Sequence, residues 1–147
     1  MRPVSADGYD STMLFLPPAT EALSLGRFPL TTMVATAVLG GQLGKPLLPG
    51  TGRVLMTVTG CDKQTVGGVT LKGQNMGQDA QGFYATGGLP SFSATETDES
   101  GFAGFVNVAA GQVSIEGTLA DGQSVGRVSL FVRDGSVSVR RLQPWTD

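Results

Sequence analysis

The chain has 147 residues, 40% of them hydrophobic and only 15% charged, a balance that suits one folded domain with a real core and excludes intrinsic disorder. A net charge of −2 supplies no field to attract nucleic acid, and no apolar run reaches the roughly 18 residues of a membrane span. With no His and one Cys, the chain cannot assemble Ser-His-Asp or Cys-His catalysis, a cysteine-based metal cluster or an intrachain disulfide.

Residues 1–12 are polar and read as an irregular lead-in; they carry charge but no apolar stretch of the kind a signal peptide needs. That leaves two contexts open, a cytoplasmic chain or one whose leader has been removed. Met13-Leu14-Phe15-Leu16 is a short apolar run closed by Pro17-Pro18, the pattern of an edge strand. In residues 31–39 the β-branched residues suit a strand, yet Met33, Ala37 and Leu39 share a helical face and Gly40-Gly41 follows as a stop, so of the two a short helix is expected. Residues 45–52, KPLLPGTG, form the expected seam. They divide an N-terminal extension, residues 1–50, packing on or preceding a β-unit, from that unit, residues 51–147.

From Arg53 onward the chain alternates. Val54, Met56 and Val58 share one face, Val69 and Leu71 another, and Phe83-Tyr84 open a further strand before Gly87-Gly88-Leu89-Pro90 turns the chain. Residues 73–82, GQNMGQDAQG, have no core pattern and read as an exposed loop. Residues 95–97 read as the end of a strand, and Asp98-Glu99-Ser100-Gly101 as a turn, in which Asp bonds backbone N–H groups ahead of it. Residues 102–108 and 113–119 follow as strands, with Ala109-Ala110-Gly111 between them and Asp121-Gly122 after them, so an antiparallel meander is expected. Val128, Leu130 and Val132 point inward against Arg127, Ser129 and Arg133, and Asp134-Gly135 is the strongest hairpin signal. Seven or eight strands with frequent turns give an all-β sandwich, and the 22 glycines, gathered at turns, agree with it.

The spacing Thr97-Asp98-x-x-Gly101-x-x-x-Phe105-x-Asn107-Val108-x-x-Gly111-x-Val113 resembles the repeat of carboxypeptidase regulatory-like domains, a transthyretin-like β-sandwich family. The likeness covers roughly residues 52–142, with Ala103 where the family usually has an aromatic, Ala109 where it has Pro and Val113 where it has Tyr. It implies an antiparallel sandwich in which Asp98, Gly101, Phe105, Asn107 and Gly111 are the turn and fold signature. It also implies a non-enzymatic accessory module in a secreted or envelope setting, without cofactor or metal. One branch of transthyretin-like proteins hydrolyses hydroxyisourate through His and Arg, and this chain has no His.

Each candidate site has a plainer reading beside it. Glu96, Asp98 and Glu99 lack the alternating acids of a calcium loop, so Asp98 reads as a turn residue. Gly40-Gly41-Gln42-Leu43-Gly44-Lys45 fails as a phosphate loop because Leu39 and Pro46 stand where Gly and Ser or Thr are needed. Cys61 has no neighbour to activate it beyond Lys63. Arg127, Arg133, Arg140 and Arg141 gather near the C-terminus, either as protection of strand edges or as a patch for an acidic partner. Phe83, Tyr84, Phe92 and Trp145 fit either a core or a sugar-stacking platform. The expected interaction surface is therefore Tyr84, Arg127, Arg133, Arg140 and Trp145. It would serve a protein partner or a second copy, with glycan binding as the alternative.

Overall fold

Alternating apolar residues from Val54 to Val58 form the middle strand of the larger of two sheets. The computed structural model describes residues 2–4, 7, 11–14 and 48–144. These contain ten strands: β1 (Arg2–Val4), β2 (Ser11–Leu14), β3 (Thr51–Val58), β4 (Val69–Gln74), β5 (Gln81–Thr86), β6 (Leu89–Ser91), β7 (Phe102–Ala109), β8 (Gly111–Leu119), β9 (Ser124–Val132) and β10 (Ser136–Leu142). The large sheet runs β1-β2-β10-β3-β7-β5-β6 and the small one β4-β8-β9. The chain is all-β and sandwich-like, with no helix among the described residues. The helix expected over residues 31–39 lies outside them.

The core lies between the sheets. Val54, Met56 and Val58 of β3 meet Val113 and Ile115 of β8, Val128, Leu130 and Val132 of β9, and Phe105 of β7. These are the positions that a period of two assigns inward. Burying such side chains is the main force that holds two sheets face to face.

Four connections differ from the sequence reading. Residues 1–12 are not wholly irregular, because β1 and β2 pair with each other and β2 joins β10. Residues 95–97 form no strand; Thr97 instead bridges to the start of β4, donating its N–H to the Val69 carbonyl at 3.0 Å. The expected meander is not one, since β7 pairs with β3 and β5 while β8 belongs to the other sheet. At the crossing, Ala109 donates to the Met76 carbonyl at 2.8 Å, so the chain passes between layers instead of folding back on itself.

Asp134-Gly135 also turns the chain without making a hairpin. Its Asp134 carboxylate accepts the Gly50 N–H at 2.8 Å, and Gly135 donates to the Thr51 carbonyl at 2.9 Å. Both bonds fix the turn to the start of β3. The next strand is therefore laid beside β3, from Val137 opposite Arg53 to Leu142 opposite Val58. That pairing is parallel, as is β2 with β10, which corrects the expectation of a wholly antiparallel fold. Parallel neighbours need a long connection, and here residues 59–135 supply it.

A bulge completes the frame. Between β3 and β7 the register slips, so that Val106 and Asn107 together oppose Arg53. Asn107 takes φ 55°, a conformation that Asn tolerates better than most residues, and its side-chain oxygen accepts the Leu48 N–H at 3.0 Å. The bulge thus positions the chain as it enters β3.

Candidate functional site

The small sheet turns one face to the core and the other to solvent. On the solvent face, cross-strand register sets Lys72 opposite Glu116 and Glu116 opposite Arg127, so one acid stands between two cations. Arg127 Nη2 lies 3.7 Å from Glu116 Oε2. The pair is exposed and holds Arg127 in place more than it stabilises the fold. Farther along β9, Phe131 is 45% exposed, in register with Gln112. Arg133 follows at the end of the strand, also exposed. Arg127, Ser129, Phe131 and Arg133 continue one alternation, which makes a polar stripe carrying a single large ring.

Of the five residues expected to form the interaction surface, Arg127 lies on the outer side of β9 and Arg133 just past its end, both exposed. Arg140 is half-buried on β10 of the large sheet, in register with Met56. Trp145 lies outside the described residues. Tyr84 does not belong to the surface at all: it is 8% exposed, part of the core between the sheets. Sequence reasoning missed Phe131, although the parity that points Arg127 and Ser129 outward places it on the same side.

The buried Tyr84 has a different task. Its hydroxyl accepts the Leu71 N–H at 2.9 Å, and the Val69 N–H is taken by Thr97 Oγ1 at 3.1 Å. Both donors are on the side of β4 away from β8. An open strand edge offers unpaired N–H groups to any passing chain, and these two bonds close part of that edge from within. Tyr84→Phe is expected to cost about 1–2 kcal/mol by orphaning a buried donor. Urea midpoints would measure the cost, and faster hydrogen exchange at the Leu71 amide would locate it. An unchanged Leu71 exchange rate would contradict the assignment.

Two members of the expected sugar platform turn inward, Phe83 as well as Tyr84, while Trp145 lies outside the described residues. Phe83 is buried, with its ring centroid 5.7 Å from that of Phe92 and 6.1 Å from that of Phe102. Phe92 is half-buried in this cluster. Of residues 73–82, expected as a loop, Gly73 and Gln74 end β4 and Gln81 and Gly82 begin β5; the shorter loop between them is tethered, with Met76 buried in the core and Gly77, Gln78 and Asp79 outside.

The signature residues occupy turn, core and bulge positions. Phe105 is in the core, and Gly101 takes φ 62° where a Cβ would stand 2.5 Å from the Val58 carbonyl oxygen. Gly111 adopts φ 141° at the crossing between sheets. Asp98 Oδ1 accepts both the hydroxyl and the N–H of Ser100, and Oδ2 accepts the Gly87 N–H at 3.2 Å. One carboxylate thereby links its own turn to the β5–β6 turn.

The Ser100 hydroxyl, aided by the N–H groups of Ser100 and Gly87, holds the Asp98 carboxyl below its ordinary range. A carboxyl lowered by folding stabilises the native state above its unfolded value, about 4, and that contribution fades as pH falls through the lower folded value. Asp98→Asn is therefore expected to flatten the acid limb of stability against pH, below about pH 4. Urea unfolding across that range would test it; identical limbs in both proteins would rule the clasp out as an acid-labile element.

Among the described residues, no group of three or more His, Cys, Asp or Glu side chains stands ready to hold a metal ion, and Cys61 is exposed. Among the described residues, the geometry defines a sandwich-like β-domain whose small sheet presents to solvent a surface of mixed charge with one exposed ring. In comparison with known proteins, the chain matches no family model and no curated sequence.

Proposed function

We propose that this chain is a non-enzymatic interaction module of the transthyretin-like kind, belonging to a secreted or envelope protein, that binds a partner protein through the small sheet. The observation that carries the reading is Phe131, left 45% exposed on the same strand face as Arg127, with exposed Arg133 just past the end of the strand. An exposed ring on a sheet otherwise polar on that side supplies what interface centres are built from, a rigid apolar anchor with Arg beside it. The setting outside the cytoplasm rests on the family likeness alone.

The two Arg side chains favour an acidic surface on the partner, since complementary charge speeds encounter and fixes orientation. An unpaired buried charge would be costly, and Glu116 reduces that cost by already sharing Arg127. The binding test uses the folded chain on a sensor surface, with an acidic protein recovered and identified from the native envelope or secreted fraction. Phe131→Ser with Arg133→Ser should weaken capture at least tenfold, and added salt should weaken it further. Equal binding by the double variant and by the unaltered chain would remove this surface from consideration. Ser124→Ala, at the far end of β9, serves as the control.

A further inference from the structure

Among the described residues two large apolar side chains stay exposed, Leu89 at 68% and Phe131 at 45%. Phe131 belongs to the small-sheet surface already described. Leu89 sits at the tip of the β5–β6 hairpin, opposite Thr86 and directly after Gly87-Gly88. Both glycines have positive φ, 59° and 83°, the backbone of a tight two-residue turn, and a Cβ on either would meet nothing within 4 Å. The turn therefore stands clear of the body. Asp98 braces it by accepting the Gly87 N–H at 3.2 Å. A tip held in this way loses little freedom on docking, a cost that weakens the contacts of looser loops.

Charge separates the two sites. Residues 73–126 contain no Lys or Arg, while Glu96 and Glu99 flank the bracing Asp98 and are both exposed. Beside Phe131 the sign reverses: Arg127 and Arg133 are exposed, and the neighbouring Asp134 carboxylate is engaged by the Gly50 N–H at 2.8 Å. The sites also lie far apart. Tyr84 of the tip hairpin is in register with Ala103, near the start of β7, whereas Val132, next to Phe131, is opposite Gly111, just past the end of β7. The eight residues of β7 span roughly 25 Å, so Leu89 cannot meet the Phe131 of its own chain.

We propose that the hairpin tip of one copy docks on the small sheet of the next, with Leu89 against Phe131 and the acids around Asp98 toward Arg127 and Arg133. The inference rests on the small sheet being the binding face and adds that its acidic partner is a second copy of this chain. Leu89 on the ring removes apolar area of both from water. Opposite charge around that contact fixes its orientation and disfavours tip against tip, where like charges would meet. Because the two surfaces differ, the contact is heterologous, and each pair keeps one tip and one sheet face unused, so association continues head to tail. With one apolar anchor a side, the contact is small and of the weak class.

Sedimentation at rising concentration, up to about 1 mM, reads this directly. The unaltered chain should grow beyond a dimer, and added salt should reverse the growth. Leu89→Ser and Phe131→Ser should each weaken association at least tenfold. Both side chains are exposed, so the fold is kept. An equimolar mixture of the two variants decides the geometry: only the tip of the Phe131 variant can meet the face of the Leu89 variant, so dimers should form and grow no further. A mixture that stays monomeric would overturn the proposal, as would Leu89→Ser associating as strongly as the unaltered chain. An unaltered chain that is monomeric throughout, or that stops at a closed dimer, would overturn it too. Capture of a different acidic protein through Phe131 and Arg133 would in that case still leave the small sheet as the binding face.

Discussion

Gly126→Ala is expected to lower the unfolding free energy by about 3 kcal/mol, the upper part of the range for forcing an extra group into a packed site. Two separate causes act at this position. Its φ is +120°, a region that residues with a Cβ rarely enter, and the added carbon would stand 2.2 Å from the Gln143 carbonyl oxygen. That oxygen belongs to backbone, so no flexible tip can swing aside. The site lies where β9 starts and the chain leaves β10, and the strands would have to part to admit a methyl group. Gly122→Ala separates strain from contact: its φ is +86° and nothing lies within 4 Å, so about 1 kcal/mol of backbone cost is expected there. Urea midpoints of the two variants measure the difference. Equal losses would mean that the close approach to Gln143 contributes nothing.

Met56→Ala is expected to cost about 3 kcal/mol, within the range for removing a large buried side chain and leaving a cavity. Met56 is fully buried in the middle strand of the large sheet, opposite Ala103 on one side and Arg140 on the other. Ala103 is small and cannot fill the space, so the lining would lose its contacts without replacing them. Ser129→Ala, on the solvent side of β9, should change stability by less than about 0.5 kcal/mol. Thermal and urea unfolding of both variants would show whether the period of two divides inside from outside. A comparable loss in the two would contradict the layered arrangement.

Strand positions were readable from sequence because half-buried strands leave a simple mark. Val54, Met56 and Val58 alternate with half-exposed neighbours, and β9 and β10 run close to the ranges their alternation indicates. Strand partners were not readable. Asp134-Gly135 has the composition of a hairpin turn, and composition fixes how sharply a chain bends without choosing the neighbour it bends towards. The choice came from Gly50 and Thr51, more than eighty residues earlier, whose backbone groups bind that turn.

Tyr84 failed for a related reason. Consecutive residues of a strand point to opposite faces, so with Phe83 turned outward the tyrosine had to face the small sheet. An aromatic pair looks the same in sequence whether one ring or neither meets water, and here both sides of β5 are covered. At the candidate surface, Arg127 and Arg133 were legible from parity. Phe131 obeys the same parity, yet a large apolar side chain carries no signal in sequence that it stays at the surface.

The order β1-β2-β10-β3 has a consequence for the way this molecule is made. On a ribosome, β1 and β2 emerge well before β10, yet among the described residues they reach the remainder of their sheet only through it. Contacts between residues so far apart along a chain are slow to form. That ribbon must therefore wait, its outer strand unanchored, until β10 has been made, and a product stopped short of Ser136 would lack the strand that joins the two parts of the sheet.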